Sequence, residues 1–211
     1  HRDLHSFPTR RSSDLACFSR PEFPIEKFTY PVITPAAARG ILESVYWKPE
    51  MKWVIDKIKI MKKVVYETIK INGTISPALQ KINNFRPISA ADDRRQYNMT
   101  CLKNVEYIIY AHIELTEKEL SHPLRKHEEI AYRRLSKGQR YNDAYLGFRE
   151  FPANVELVTE DEIGESDSED FVIGPMLYDV DYVRGESILY VPEMKNGIII
   201  VPRRCDVENG N

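Results

Sequence analysis

The sequence has few cysteines and no long apolar run. Its three cysteines, Cys17, Cys101 and Cys205, are far apart and odd in number. That spacing excludes a disulfide framework and supplies no set of metal ligands, so we expect a protein of the reducing cytoplasm with no metal site. No stretch approaches the ~20 consecutive apolar residues that a membrane-spanning helix requires, so we expect no membrane segment.

Motifs of several common enzyme classes are also missing. The sequence contains no Walker A loop, GxGxxG, HExxH, GxSxG or CxxC, which argues against the nucleotide-binding, zinc-protease, hydrolase and redox classes that those motifs indicate. Outside the first fifteen residues, only His112, His122 and His127 are available for imidazole chemistry. We interpret Asp92 and Asp93 as solvated loop residues, so a metal-dependent nuclease has little support and no cofactor is expected.

The first fifteen residues, HRDLHSFPTRRSSDL, have neither helical nor strand periodicity and no apolar signal segment. They match, residue for residue, one reading frame of a common sequencing-library adapter oligonucleotide. We therefore interpret residues 1–15 as an adapter-derived artefact that does not belong to the fold. The alternative is a disordered basic arm.

Two helices are predicted from their local signals. Thr34 supplies a hydroxyl at the N-cap and Pro35 occupies the first helical position, so a helix begins there and runs to about Trp47. The second helix covers residues 123–137 and ends at Gly138.

Strands are predicted where apolar residues alternate or β-branched residues cluster. They cover residues 52–60, 64–71, 105–115 and 144–158, with short strands at 171–182, 187–191 and 197–201. The first two form a hairpin closed by Asn72 and Gly73, and residues 74–100 form a loop or a small insertion.

This order of elements predicts an α+β protein close to the ferredoxin-like βαββαβ arrangement, a sheet backed by two helices. The same architecture underlies the RNA-recognition fold. We expect the ferredoxin-like domain at residues 16–155, an acidic and mobile loop at 156–170, and a small C-terminal β domain at 171–211.

The formal net charge of −2 conceals an uneven distribution. Residues 16–155 hold 23 basic and 16 acidic residues, a net charge of +7, whereas residues 156–170 hold eight acidic residues and no basic one. Residues 171–211 carry a net charge of −2. A basic domain suits a phosphate-bearing partner, because lysine and arginine release counterions from a nucleic acid on binding. The alternative is an ordinary surface with uneven charge.

The second helix holds the densest group of cations. Lys126, Arg133 and Lys137 share one flank, and the candidate RNA-binding residues of this region are Arg125, Arg133, Arg134, Lys137 and Arg140. Lys126 precedes His127, and such a pair can cut RNA without metal: a base takes the ribose 2′-OH proton while a cation stabilises the charged phosphorane. Alternatively, His127 is a core residue in the apolar stripe of this helix and Lys126 is a solvated surface residue.

Tyr46 is the third candidate. It follows Leu42 by four residues, so its ring can pack on the buried side of the first helix while its hydroxyl reaches the edge. The phenol would then be a hydrogen-bond partner or proton shuttle for the scissile ribose. The alternative is a core aromatic residue.

Five segments together resemble one known family. They are ACFSRPEF, TYPVITPAAARGILESVYWKPEMKW, the RKH tripeptide before the basic helix, YLGFREFPA and NGIIIVP. They resemble the type I-C CRISPR-associated repeat-processing endoribonucleases, the "Cas five, subtype d" family of the RAMP superfamily, over nearly all of residues 16–204.

The resemblance implies metal-independent cleavage of precursor CRISPR RNA at the base of the repeat hairpin, with Tyr46, Lys126 and His127 as the catalytic set. It implies a 2′,3′-cyclic phosphate on the upstream product and a 5′-hydroxyl on the guide. It further implies that the protein stays on the 5′ handle of the guide in a prokaryotic surveillance complex, Cascade, with backbone and large subunits. It does not say which of Tyr46 and His127 is the base.

In this family a first β-strand precedes ACFSRPEF, where residues 1–15 stand here. We therefore expect the first strand to be lost and this polypeptide to be unstable or poorly active. Two other functions stay open: a non-catalytic scaffold that binds the guide handle, and a protein-interaction module of RNA-recognition fold.

Overall fold

The computed structural model describes residues 7–74, 94–116, 123–167, 170–181 and 184–209. The interpretation of Asp92 and Asp93, the role of His122 and most of the expected insertion lie outside the described residues. Within the described ranges, no helix has the length and apolar character needed to cross a membrane.

The described residues form ten strands and three helices, besides a short 3-10 turn at Glu160–Glu162. The helices are α1 (Pro35–Val45), α2 (Leu124–Ser136) and α3 (Arg204–Asn209). The strands are β1 (Thr9–Ala16), β2 (Lys27–Phe28), β3 (Met51–Ile60), β4 (Tyr66–Thr74), β5 (Arg94–Leu115), β6 (Asn154–Leu157), β7 (Met176–Asp181), β8 (Glu186–Tyr190), β9 (Met194–Lys195) and β10 (Ile198–Ile200).

The two helices predicted from caps and spacing are confirmed. The Thr34 hydroxyl accepts a hydrogen bond from the Ala37 amide at 3.2 Å, a cap that stabilises a helix by about 1 kcal/mol. The buried residues of α1 recur at helical spacing. Helix α2 ends where Gly138 adopts a φ of 62°, and the Gly138 amide donates to the carbonyl of Leu135.

One mainly antiparallel sheet carries both helices. Its strands lie in the order β6-β1-β5-β3-β10-β9, and β2 and β4 both pair with β5. Helix α1 lies in the connection from β1 to β3, and α2 in the connection from β5 to β6. The largest core cluster packs residues of both helices against β1, β3 and β5.

The predicted hairpin of residues 52–60 and 64–71 is wrong. Strand β4 pairs with the first half of β5, from Tyr66 opposite Leu102 to Thr74 opposite Arg94. Strand β5 is 22 residues long, because residues 94–104, most of which were expected to be a loop, extend it. Asn72 and Gly73 lie within this ladder.

Later segments also differ from the prediction. Only Asn154–Leu157 of residues 144–158 forms a strand of the sheet. In the segment 171–211, β7 and β8 form a separate two-stranded sheet, whereas β10 pairs with β3 and β9 with β10. The core is continuous across this boundary, since Met176, Tyr190 and Ile199 belong to the same buried cluster as α1.

The described part of the acidic segment is bonded to the sheet, although a mobile loop was expected. Arg10 donates to the carbonyl of Glu162 at 2.9 Å, and Lys59 donates to that of Gly164 at 2.8 Å. The Asp170 carboxylate accepts hydrogen bonds from two backbone amides near β10. These bonds hold the described part of the segment against the sheet near β1, β3 and β10.

The expected loss of the first strand is wrong for this polypeptide. Thr9–Ala16 forms β1 and pairs on one side with β5 and on the other with β6. The strand forms despite its polar sequence because two neighbours satisfy its backbone groups. Arg11 is fully buried, and among the described residues its Nε and Nη2 atoms have no hydrogen-bond partner. Burial lowers the pKa of Arg11 to about 9.

Candidate active site

Tyr46 and His127 form a buried hydrogen-bonded pair. The Tyr46 hydroxyl lies 2.9 Å from Nδ1 of His127, and the two side chains are 3% and 2% exposed. The residues are 81 positions apart in the chain, and the packing of α1 and α2 on one sheet brings them together. We refer to this pair as the dyad.

Backbone geometry positions Tyr46. It caps the C-terminus of α1, where its φ of −154° turns the chain out of the helix. Its amide donates to the carbonyl of Leu42 at 3.0 Å, and its carbonyl accepts a hydrogen bond from the Trp53 indole at 2.8 Å. These two bonds fix the backbone of the residue that carries the phenol.

The electrostatics of the pair favour a protonated phenol. Burial raises the pKa of Tyr46, the Glu50 carboxylate adds to the rise, and the Arg134 guanidinium opposes it. A protonated phenol donates to Nδ1 of a neutral imidazole, which then carries its own proton on Nε2. That nitrogen lies 3.8 Å from a carboxylate oxygen of Glu50. Glu50 is therefore placed to favour a positive charge on His127.

Lys126 lies beside the dyad but faces solvent. Its backbone amide donates to the carbonyl of Pro123 in the first turn of α2, and its side chain is exposed. The ammonium group is bonded to none of the described residues, so it is available to an anion that approaches the dyad.

The candidate RNA-binding arginines have different surroundings. Arg134 is half-buried, with its guanidinium carbon 5.2 Å from the Tyr46 ring centroid and Nη1 2.9 Å from the carbonyl of Val45. It thus supports the dyad directly. Arg125 bonds Glu129 at 3.1 Å, and Arg140 donates to the carbonyl of Ala153 at 3.3 Å.

The remaining cations of α2 form an exposed strip. Arg133 and Lys137 are exposed on the same flank as Lys126. The interval from Lys126 to Lys137 is 11 residues, or about 16 Å at 1.5 Å per residue. This length matches several phosphate spacings of an extended RNA strand, so the strip can follow a backbone.

A cleft of about 830 Å³ opens beside the dyad. It lies between one face of α1 and residues 141–147, and both Tyr46 and Arg134 contribute to its wall. Across the described residues, no group of three His, Cys, Asp or Glu side chains is arranged to hold a metal ion.

Sequence reasoning did not single out Glu50, and it gave Arg134 a different role. Glu50 lies within the segment that resembles the family, but it approaches the imidazole only because the chain turns back after Tyr46. Arg134 was expected to contact RNA, but the structure places its guanidinium over a tyrosine ring. Both roles depend on tertiary contacts between α1, α2 and the turn before β3.

The comparisons with known proteins converge on one family. Residues 10–202 match the family model for CRISPR-associated Cas5d proteins. The CRISPR pre-crRNA endoribonuclease Cas5d of Mannheimia succiniciproducens is 37% identical over 90% of this chain and 91% of that protein. The enzyme of the same name from Thermus thermophilus is 37% identical over 81% of this chain and 71% of that protein.

Solved structures share the fold. A crystal structure of a CRISPR-associated protein superposes with a TM-score of 0.74 at 23% identity, covering 95% of this chain and 93% of that one. A functionally uncharacterized protein from Streptococcus mutans gives a TM-score of 0.72 at 24% identity, covering 95% and 94%. The sequence matches extend over most of both chains and carry the assignment. The chain belongs to the Cas5d family of CRISPR-associated proteins.

Proposed function

We propose that this protein is a metal-independent endoribonuclease that cleaves precursor CRISPR RNA at the repeat hairpin. The hydrogen bond between the Tyr46 hydroxyl and Nδ1 of His127 carries the proposal. This bond joins a phenol and an imidazole, two groups that can donate and accept a proton, in one buried pair. The two relatives named pre-crRNA endoribonuclease support the same activity.

The proposed reaction is an internal transesterification. The ribose 2′-oxygen attacks the adjacent phosphorus, the bond from phosphorus to the 5′-oxygen breaks, and the proton of the 2′-OH is finally carried by the 5′-oxygen. The products are a 2′,3′-cyclic phosphate and a 5′-hydroxyl, so no water, metal or cofactor is consumed.

His127 is the base in this proposal. Burial raises the pKa of Tyr46, so its phenol holds its proton more tightly than a free phenol does, whereas a neutral imidazole has a nitrogen that can accept a proton. Tyr46 orients the ring and relays the proton through its hydroxyl. The carboxylate of Glu50, 3.8 Å from Nε2, stabilises the imidazolium that forms.

The exposed cations supply the charge that the reaction needs. Lys126, which precedes His127 and has an exposed side chain, would stabilise the negative phosphorane. Arg133 and Lys137 continue the strip along α2 and would hold the RNA backbone, with Arg125 and Arg140 at its margins. Arg134 keeps the Tyr46 ring in place and presents a positive edge to the cleft.

The fold supports a ferredoxin-like RAMP domain. The four strands in the order β6-β1-β5-β3 are antiparallel to their neighbours, and each of α1 and α2 connects two strands that have one other strand between them. That is the pattern of the split βαβ arrangement. The expected bounds of 16–155 leave out most of β1 and half of β6, so we assign this domain to residues 9–157, the rest of the acidic segment to 158–170 and the C-terminal part to 171–211.

We further propose that the protein stays on the 5′ handle of its product in the cytoplasm of a prokaryote, as a subunit of a type I-C surveillance complex with backbone and large subunits. Family membership supports this assembly. The same exposed strip would hold the handle after cleavage.

The test is cleavage of a repeat hairpin RNA in the presence of EDTA. The unaltered protein is expected to cut once near the base of the hairpin, and His127→Ala and Lys126→Ala are each expected to slow cutting at least about 100-fold. Cutting that needs a divalent ion, or that survives both substitutions, would contradict the proposal. Binding without cutting would favour the non-catalytic scaffold.

A further inference from the structure

We infer that the cleft beside the dyad binds one unpaired nucleobase of the RNA substrate by stacking it on aromatic side chains. The inference rests on the proposed function and adds a subsite to it. The occupant would be a single-stranded nucleotide that flanks the scissile bond, because the hairpin stem has no free base faces to stack.

Three exposed aromatic side chains line this cleft. Trp47, Tyr141 and Tyr145 all contribute to its wall and are 54%, 81% and 42% exposed. By contrast, the other tryptophan, Trp53, is 2% exposed. Large aromatic rings that face solvent around a concave surface are the usual platform for single-stranded RNA, since every base has a π face.

The charges in the cleft fit a nucleotide. Lys48 and Arg134 lie in its wall and can meet a phosphate, while Glu43 and Asp143 also line it. The Glu43 carboxylate lies 3.5 Å from the Arg39 guanidinium, which offsets part of its charge. Asn142, also in the wall, offers an amide that can both donate to and accept from a base edge.

The second wall is fixed before any ligand arrives. The amides of Tyr141 and Asn142 both donate to the carbonyl of Ser44 in α1, at 2.9 Å and 3.1 Å. The same loop is tied to the sheet by the Cys17 amide, which donates to the carbonyl of Leu146 at 3.1 Å. A preformed platform loses little conformational entropy when it binds.

Gly147 explains why this loop can approach so closely. Its φ is +90°, and a Cβ atom built there would collide with the backbone carbonyl of Cys17. A side chain at this position would push the loop away from the sheet.

The size and position of the cleft suit a nucleotide. The volume of about 830 Å³ is within the usual range of about 300–1,000 Å³ for small-molecule sites. Because Tyr46 and Arg134 belong both to the cleft and to the surroundings of the dyad, a base held there would place its neighbouring phosphate near His127.

Tryptophan fluorescence tests the stacking directly. The probe is a repeat hairpin RNA with single-stranded flanks and a 2′-deoxy ribose at the scissile position, which blocks cleavage. Because Trp53 is buried, the exposed Trp47 should give the response, and the RNA is expected to quench it. Trp47→Phe should remove the quenching, and so should one abasic site in the flank. Equal quenching by every abasic RNA would overturn the inference.

RNA binding and cleavage by aromatic variants provide the second measurement. Tyr141→Ala is expected to weaken RNA binding about 5- to 100-fold, with Tyr141→Phe close to the unaltered protein because it keeps the ring. The control is Tyr66→Ala, an exposed tyrosine on β4 outside the cleft, which should bind RNA normally. If the unaltered protein cuts RNA in EDTA while Trp47→Ala and Tyr141→Ala bind and cut normally, the subsite is wrong and the function stands. If the unaltered protein fails to cut, the proposed function is wrong.

Discussion

Arg11 and His127 are both nearly fully buried polar side chains, but their surroundings differ. The imidazole of His127 has a phenol at hydrogen-bond distance and a carboxylate nearby. The Arg11 guanidinium has one bond, from Nη1 to the carbonyl of Arg10, and two nitrogens without partners among the described residues. A buried polar group that is paired can serve chemistry, whereas one that is unpaired only costs stability.

The comparison also bears on β1. The Arg11 side chain fits its position in this strand poorly, because two of its three guanidinium nitrogens have no hydrogen-bond partner among the described residues. Arg11 lies between Tyr107 on β5 and Val155 on β6, where an apolar side chain would be expected. We therefore expect that removing a polar group slows catalysis at the dyad, whereas at Arg11 it increases the free energy of unfolding.

The largest expected effect comes from removing one atom of the dyad. Tyr46→Phe keeps the ring under Arg134 but deletes the hydroxyl that bonds His127, so RNA cleavage is expected to slow about 100-fold or more. Single-turnover cleavage measures it, with RNA affinity expected to be unchanged. A variant that cuts at the normal rate would show that the hydrogen bond has no part in catalysis.

Removing the charge of Arg11 should be favourable and should stabilise the folded protein. Arg11→Leu is expected to raise the free energy of unfolding by about 2–4 kcal/mol, because it replaces a buried, poorly partnered cation with an apolar side chain. Chemical denaturation measures the change. Arg10→Leu is the matched control: Arg10 is partly exposed and lies 3.3 Å from Glu106, so its loss should be neutral or slightly destabilising. A destabilised Arg11→Leu would contradict the account.

The stability difference between Arg11→Leu and the parent protein should depend on pH. Burial lowers the pKa of Arg11 to about 9 in the folded state, while the unfolded chain keeps the usual, higher value. The free-energy cost of burying the charged Arg11 side chain is therefore complete below pH 9 and becomes smaller as pH rises above 9. The advantage of Arg11→Leu over the parent should narrow between pH 9 and pH 10.5. An advantage that is constant over that range would show that Arg11 does not lose its proton there.

A smaller effect is expected at the loop that faces the dyad. Gly147→Ala should destabilise the fold by about 1–3 kcal/mol, because a Cβ atom meets the Cys17 carbonyl and φ is positive. Gly164→Ala is the control, since no atom lies within 4 Å of the added Cβ there. Thermal unfolding of both variants measures the difference, and equal melting temperatures would contradict the reported packing.

The smallest effect belongs to the exposed strip. Lys137→Ala should leave stability unchanged and lower RNA affinity modestly, reducing the salt dependence of binding by about one counterion. Titrations at several salt concentrations measure the slope. Because Arg125 is already bonded to Glu129, Arg125→Ala should change that slope less. The reverse order would show that the strip is not the RNA contact surface.

Local signals made the helices predictable. The N-cap at Thr34 and the C-terminal glycine, Gly138, act on residues close to them in the chain, so their effect depends little on tertiary contacts. Chemistry and family resemblance made Tyr46 and His127 candidates, but their hydrogen bond was not predicted, because nothing local to Tyr46 shows that His127 faces it. Glu50 was missed for the same reason, since its position depends on the turn between α1 and β3.

Strand pairing was less predictable. The polar sequence of β1 lacks alternation, yet β5 and β6 hold it from both sides. Strand β4 was assigned to the wrong partner because adjacent strands usually pair, whereas here β5 extends far enough to pair with β1, β3 and β4 in turn. Such pairings depend on the whole sheet rather than on the segment.

The most direct test of the central claim is the chemistry of the product ends. A repeat hairpin RNA should be cut in EDTA to give a 2′,3′-cyclic phosphate upstream and a 5′-hydroxyl downstream, and a 2′-deoxy ribose at the scissile position should stop cutting while leaving binding intact. A 3′-hydroxyl paired with a 5′-phosphate, or normal cutting of the 2′-deoxy RNA, would contradict the account.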